Sequence, residues 1–371
     1  MKLLFWLSLG TVGYTYFGYV MLLAVYARLR RRPLLQRQML PSVSIVISAH
    51  NEERQLRTKL RNLESLLYPS DQLQILIASD GSTDRTVDIL RESSARVTPV
   101  ILDQPRGKAG ALNEAARLAT GEILVFMDIR QMVDANAVSE LVICFADPKV
   151  GAVSGELLLE SGTGGAAHDG LGIYWRIEKA VRKLESQSGS VVGVTGAIYA
   201  IRRELFVEIP QGTILDDVFV PMNVARQGKR VVFQPTAIAR DRIFVERGKE
   251  FSRKVRTLTG NYQLLQLAPW LLSPANPLLF RFVSHKLLRL LVPFFLLAMA
   301  VSSAVLGGAF YRMALVVQLV CYGLAVVGAL RPSSQSVKPI AIAYTFVLLN
   351  LAAVAAFSNF LRGRNKVWCL L

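Results

Sequence analysis

Four uncharged apolar runs, Leu3–Ala27, Leu290–Phe310, Met313–Leu330 and Pro339–Phe360, constrain this chain before anything else does. In hydrocarbon a segment must satisfy its own backbone N–H and C=O groups, so such runs cross a bilayer only as helices. Each is close to the ~20 residues that span a core of about 30 Å. They explain a hydrophobic fraction of 52% and a mean hydropathy of +0.36, too apolar for an ordinary soluble protein of 371 residues. Residues 41–260, by contrast, have soluble composition. The expected organisation is an N-terminal span with a basic juxtamembrane segment (1–40), one soluble domain (41–260), and interfacial helices with C-terminal spans (261–371).

The first run is too long for the apolar part of a cleaved signal peptide, and no A-x-A site follows it. Arg28, Arg30, Arg31, Arg32 and Arg37 follow instead, and such charge stays on the cytoplasmic side. A multi-pass protein of the cell membrane with a cytoplasmic domain is expected. Three C-terminal spans would leave the tail RGRNKVW outside, against the same rule, so their number stays open. The net charge of +16 is read as facing anionic membrane lipids. Aromatic–basic interleaving is lacking, so no nucleic acid partner is expected. Cys144, Cys321 and Cys369 have no paired spacing, which suits a reducing compartment, and His50, His168 and His285 form no zinc pattern. His285 reads as structural.

Within the domain, VSIVISA from Val43 is a continuous β-branched run, as in a strand buried on both faces. LQILIAS, VTPVIL and EILVFMD repeat the pattern, each separated from the next by a helical stretch. That alternation predicts a doubly wound α/β sheet with right-handed crossovers. Ligands of such sheets bind at the carboxyl ends of the strands, which is where AHNEE, SDGSTD and MDIRQ fall. VGAVSGELLLE reads as a further strand and YWRIEKAVRKLESQ as a helix. SGTGGAAHDG between them has the look of a dinucleotide fingerprint. It lacks the leading strand and following helix, so it reads as a flexible connection.

Acids and cations at the strand ends suit a nucleotide diphosphate. Asp80 is a partner for the base, Lys108 faces phosphate or caps its turn, and Asp128 could hold a divalent cation. Asp84 reads as a helix cap. Asp216 and Asp217 begin a helical pattern in GTILDDVFVPMNVARQGKRVVF. By themselves they could simply decorate a helix N-terminus, a stabilisation of about 0.3–1 kcal/mol.

Taken in order, ISAHNEE, IASDGSTD, GKAGALN, VFMD, TILDDV and RKVRT resemble family 2 glycosyltransferases. These are inverting nucleotide-sugar enzymes with a Rossmann-like, mostly parallel GT-A fold. The pattern with flanking spans is similar to membrane synthases of extracellular polysaccharides. The resemblance implies that Ala49 and Glu52 contact the nucleotide, Asp80 binds its uracil–ribose end, and Asp128 is the metal acid of D-x-D. It implies that Asp217 is the general base with Asp216 beside it, and that Arg253 and Arg256 face the diphosphate. Gly193, Thr195 and Gly196 match a loop near the acceptor, or form a tight turn. The implied donor is a UDP-sugar, the acceptor a glycan or a lipid, and the cofactor Mg²⁺ or Mn²⁺.

Two departures stand out. Arg130 replaces the second D-x-D acid, and RKVRT lacks the Gln and Trp of the family's Q-x-x-R-W motif, which puts processivity in question. Two other classes compete with this reading. A transporter should carry intramembrane acids, and the C-terminal runs hold none. A non-catalytic nucleotide-sugar sensor would fit the broken D-x-D but not the retained Asp217. Any export or assembly partner stays unidentified.

Overall fold

The computed structural model describes residues 1–160, 168–242 and 247–363. The SGTGGA stretch and the basic tail thus lie largely outside the described residues. Eight strands form one sheet: β1 (Val43–Ala49), β2 (Leu73–Asp80), β3 (Val97–Leu102), β4 (Ile123–Asp128), β5 (Met132–Val133), β6 (Val150–Glu160), β7 (Ile198–Arg202) and β8 (Arg230–Arg242). Their order is β3-β2-β1-β4-β7-β6-β8-β5. The first four are parallel, as the apolar runs predict. β7 enters antiparallel to β4, so the sheet is mixed rather than purely doubly wound. The two-residue β5 lies in what reads as loop, because it exists only by pairing with β8.

Side-chain alternation sends β1 into two cores. Val46 joins Leu76, Phe126 and Tyr199 on one face, while Ile45 and Ile47 join Leu56 and Val125 on the other. Each fully buried aliphatic side chain contributes roughly 1.5–3 kcal/mol. The first face also takes in Leu264, Leu271 and Phe282, so the segment leading to the C-terminal apolar helices is part of the domain core.

Among the described residues four helices, Lys2–Leu29, Leu279–Leu306, Ala309–Leu330 and Lys338–Leu361, are long and apolar enough to cross a membrane. Their exposed faces carry Leu3, Leu297, Val317 and Leu351. The second starts upstream of the expected Leu290 and stops short of Phe310. Gly307, at φ 66°, takes the left-handed conformation that ends a helix, and the next begins at Ala309. Both the first and second helices contain a π turn, at Tyr14–Gly18 and Val283–Leu287. The turns meet where the Tyr14 hydroxyl lies 2.8 Å from that of Ser284.

Candidate functional site

Strand register explains why distant motifs converge. Ala49 pairs with Ser79, next to Asp80, and Ser48 pairs with Asp128. The chain leaves β1 for β2 on one side and later returns to β4 on the other, which opens a crevice at the strand ends. There a cleft of about 310 Å³ is lined by Ala49, Glu52, Asp80, Lys108, Asp128 and Arg256, together with His50 and Arg130. The structure therefore gathers six of the sequence-predicted residues. Arg253 is exposed on the same helix as Arg256 and does not line the cleft.

The two loops of the crevice brace each other. Asn51, at φ 54°, takes a left-handed conformation that Asn tolerates better than most residues, and its Oδ1 accepts from Thr83 N at 2.8 Å. Asp84 accepts from the backbone of both Glu53 and Thr86, so it caps two helix starts at once. Asp80 Oδ1 accepts from Arg106 N at 2.6 Å. Its carbonyl lies 2.6 Å from His50 Nδ1, which must be the protonated ring nitrogen because a carbonyl only accepts.

Asp216 and Asp217 reach this cleft through Lys108. The Lys108 ammonium lies 3.0 Å from Asp128 Oδ1 and 3.2 Å from Asp216 Oδ1, so one lysine bridges acids from two elements. Burial pushes that ammonium down, but Asp128, Asp216 and Asp217 outweigh it and hold it above its ordinary range. Asp216 Oδ2 is buried with no hydrogen-bond partner among the described residues.

Asp217 is placed by a proline. Pro221 sits inside the helix Asp216–Arg226 and has no N–H to give the carbonyl four residues back, which is that of Asp217. The freed carbonyl accepts from Val194 N at 2.9 Å, pinning the VGVTG segment to the helix start. That segment leads into β7, whose antiparallel register sets Ile198 opposite Met127 and so returns it to the end of β4. A Cβ at Gly196 would lie 3.6 Å from Asp217 Oδ2 and 3.8 Å from Asp128 Oδ2. The glycine keeps open the space that both carboxylates face. Burial, then Asp216, pushes the Asp217 carboxyl up, Lys108 and Lys286 pull it back, and it settles at about 6.

Arg130 is turned away from a metal role. Its guanidinium donates to Asp241 Oδ2 at 2.6 Å, Gln131 donates to the same oxygen, and the fully buried Lys59 donates to the Gln131 carbonyl at 2.7 Å. Among the described residues no three His, Cys, Asp or Glu side chains gather as a metal cluster. Asp128 alone still suits Mg²⁺ or Mn²⁺, because such ions bind through one or two carboxylates plus substrate phosphates and water. Lys108 engages one Asp128 oxygen, and the other faces the open side of Gly196.

Several residues here escape sequence reasoning. Tyr199 is buried, its hydroxyl has no hydrogen-bond partner among the described residues, and burial with the nearby Asp216, Asp217 and Asp128 drives its phenol well up. Lys286 comes from the π turn of the second apolar helix, and its Cε lies 3.9 Å from where a Gly193 Cβ would stand. Its neighbour His285 is clamped between Glu178 and Glu185 at 3.1 and 3.0 Å, so the structural reading of His285 holds. The only signal for either was a charged dipeptide inside an apolar stretch.

Residues 44–209 match the family described as Glycosyl transferase family 2. That segment, 166 of the 371 residues, is similar to the family. A probable glycosyltransferase, YdaM of Bacillus subtilis, is 31% identical over 214 residues, 54% of this chain and 50% of that protein. The poly-beta-1,6-N-acetyl-D-glucosamine synthase of Staphylococcus aureus (strain COL) is 22% identical over 243 residues, 64% of this chain and 58% of the synthase. The chain thus spans little more than half the length of these curated relatives. The mannosyltransferase PcManGT from Pyrobaculum calidifontis, solved with GDP-Man and Mn²⁺, superposes with a TM-score of 0.74 at 23% identity. That match covers 97% of this chain and 99% of the mannosyltransferase, and it identifies the fold as GT-A. The family 2 match ends before Asp216, Asp217 and Lys286.

Proposed function

We propose that this protein is a membrane-bound inverting glycosyltransferase that moves a sugar from a nucleotide-sugar to a hydroxyl of a glycan acceptor. The observation that carries this reading is the chain Asp128–Lys108–Asp216, which ties the end of β4 to the helix bearing Asp217. The donor occupies the cleft, with Ala49, Glu52 and Asp80 toward the nucleoside and Arg256 toward the diphosphate. Asp217 removes the proton of the acceptor hydroxyl as its oxygen bonds to the anomeric carbon. The bond from that carbon to the phosphate oxygen breaks, and the nucleoside diphosphate leaves from the opposite face. Asp128 would hold a divalent cation, Mg²⁺ or Mn²⁺, whose charge offsets that growing on the leaving diphosphate. Lys108 keeps Asp128 and Asp216 from repelling each other while the site is empty.

The four apolar helices support a membrane location, and the arginines after the first favour a cytoplasmic domain. Purified protein in lipid nanodiscs, given labelled UDP- and GDP-sugars with candidate glycans, tests the reading. Transfer from one donor is expected, and the size of the product separates a polymer from a single addition. No turnover with any donor, despite nucleotide binding, would point to a sensor instead.

Two further results are expected. With the Asp217 carboxyl at about 6, transfer should be sustained above that pH and fall as the pH drops through it, because the base is then protonated. A rate that is flat from pH 5 to 8 would remove Asp217 from this role. EDTA should suppress transfer and Mn²⁺ or Mg²⁺ restore it, and Asp128→Asn should raise the metal concentration needed for half-maximal rate. Full activity in EDTA would assign charge neutralisation to Lys108 and Arg256 alone.

A further inference from the structure

A second cavity, of about 680 Å³, lies at the seam between the domain and the apolar helices. It sits beside Ala225, Gly228 and Lys229, at the end of the helix opposite Asp217. The ten rises of about 1.5 Å from Asp216 to Arg226 separate the two by roughly 15 Å, so this is not the acceptor position. Its apolar wall includes Leu22 and Tyr26 from the last turns of the first apolar helix and Phe280 from the first turn of the second. Both helices therefore meet it at one membrane boundary.

The polar wall is cationic. Arg32, Lys229, Arg230 and Arg281 line it, and among the described residues no Asp or Glu does. Arg230 and Arg281 are built in: Arg230 donates to the carbonyls of Arg32, Pro33, Ser186 and Gly189, and Arg281 to those of Glu185 and Ser190 and to the Ser188 hydroxyl. These acceptors are neutral and orient the two guanidinium groups, while the Glu185 carboxylate also attracts Arg281 from outside the cavity lining. Asp147 lies 3.7 Å from Arg230 but does not line the cavity. Burial pulls the Arg230 guanidinium down, Asp147 works against that fall, and the nearby Arg32 and Arg281 add to it. Arg32 is exposed, and Lys229 gives one bond, to the Pro148 carbonyl.

We propose that this cavity binds an anionic phospholipid, its phosphate headgroup among Arg32, Lys229, Arg230 and Arg281 and its acyl chains along Leu22, Tyr26 and Phe280. The volume suits a ligand, and basic pockets between apolar helices at a membrane boundary recognise anionic headgroups. A bound lipid would bridge the first helix to the domain at the point where the chain leaves the membrane.

Native mass spectrometry of the full chain, titrated with phosphatidylglycerol and separately with phosphatidylcholine, tests this. The wild type should retain phosphatidylglycerol selectively. Arg32→Gln combined with Lys229→Gln should weaken its retention about 30-fold, from roughly one unit of surface attraction per lost cation. Both side chains lie away from the core, and an unchanged melting temperature without lipid confirms folding. As a second variant, Leu22→Trp narrows the apolar wall and should reduce retention without altering charge. Equal retention of both lipids, or no change in the double variant, overturns the proposal. So does displacement by inorganic phosphate alone, which would make the cavity a free-anion site. Sugar transfer in phosphatidylglycerol-free detergent should not distinguish the double variant from wild type.

Discussion

Asp217→Asn is expected to abolish sugar transfer while leaving nucleotide-sugar binding intact. The substitution keeps the side-chain shape and the Val194–Asp217 backbone bond, so the fold around it should persist. It removes a carboxylate that lies 3.6 Å from where a Gly196 Cβ would stand and feels Lys286, and it replaces the proposed base with an amide that cannot accept the proton. Loss of a general base costs about 10²–10⁴ in rate. Turnover and donor affinity, measured on one preparation, separate this from misfolding. Retained turnover would show that the proton leaves by another route.

The second large effect concerns Lys108. Lys108→Met should abolish transfer and also destabilise the domain, because it strands Asp216, which is 4% exposed and already has one unpartnered oxygen. Breaking a buried ion pair costs about 3–5 kcal/mol, and the lower end applies here because Asp128, the other partner, is 36% exposed. Adding Asp216→Asn to Lys108→Met removes the stranded charge, so stability should largely return while transfer does not. Thermal unfolding of the two single variants and the double reads this coupling. If the double variant were no more stable than Lys108→Met, the lysine would not be holding Asp216.

Both predictions join residues far apart in the chain, and this shows what was legible in advance. VSIVISA and EILVFMD could be read as parallel strands because both faces of each strand are buried and the apolar run is unbroken. Ala49, Asp80 and Asp128 then followed at one edge, since strands of matched length in parallel register end together. Arg130 could be read as a missing metal acid, but not as the partner of Asp241, 111 positions away, which needs β8 to lie beside β5. Pro221 carried a usable signal: a proline four residues after Asp217 must leave that carbonyl without its helical donor. Which N–H would fill it was not readable.

The apolar helices, the parallel half of the sheet and the edge that opens to a ligand are all legible along the chain. Those properties follow from composition and periodicity, which act within a few residues of chain. Packing of distant elements is what sets Lys108 between Asp128 and Asp216, places Gly196 beside both Asp128 and Asp217, and brings Lys286 of the second apolar helix near the proposed base. Each of these depends on the direction of one side chain across packed elements, and a contact of that kind leaves no periodic trace in the chain.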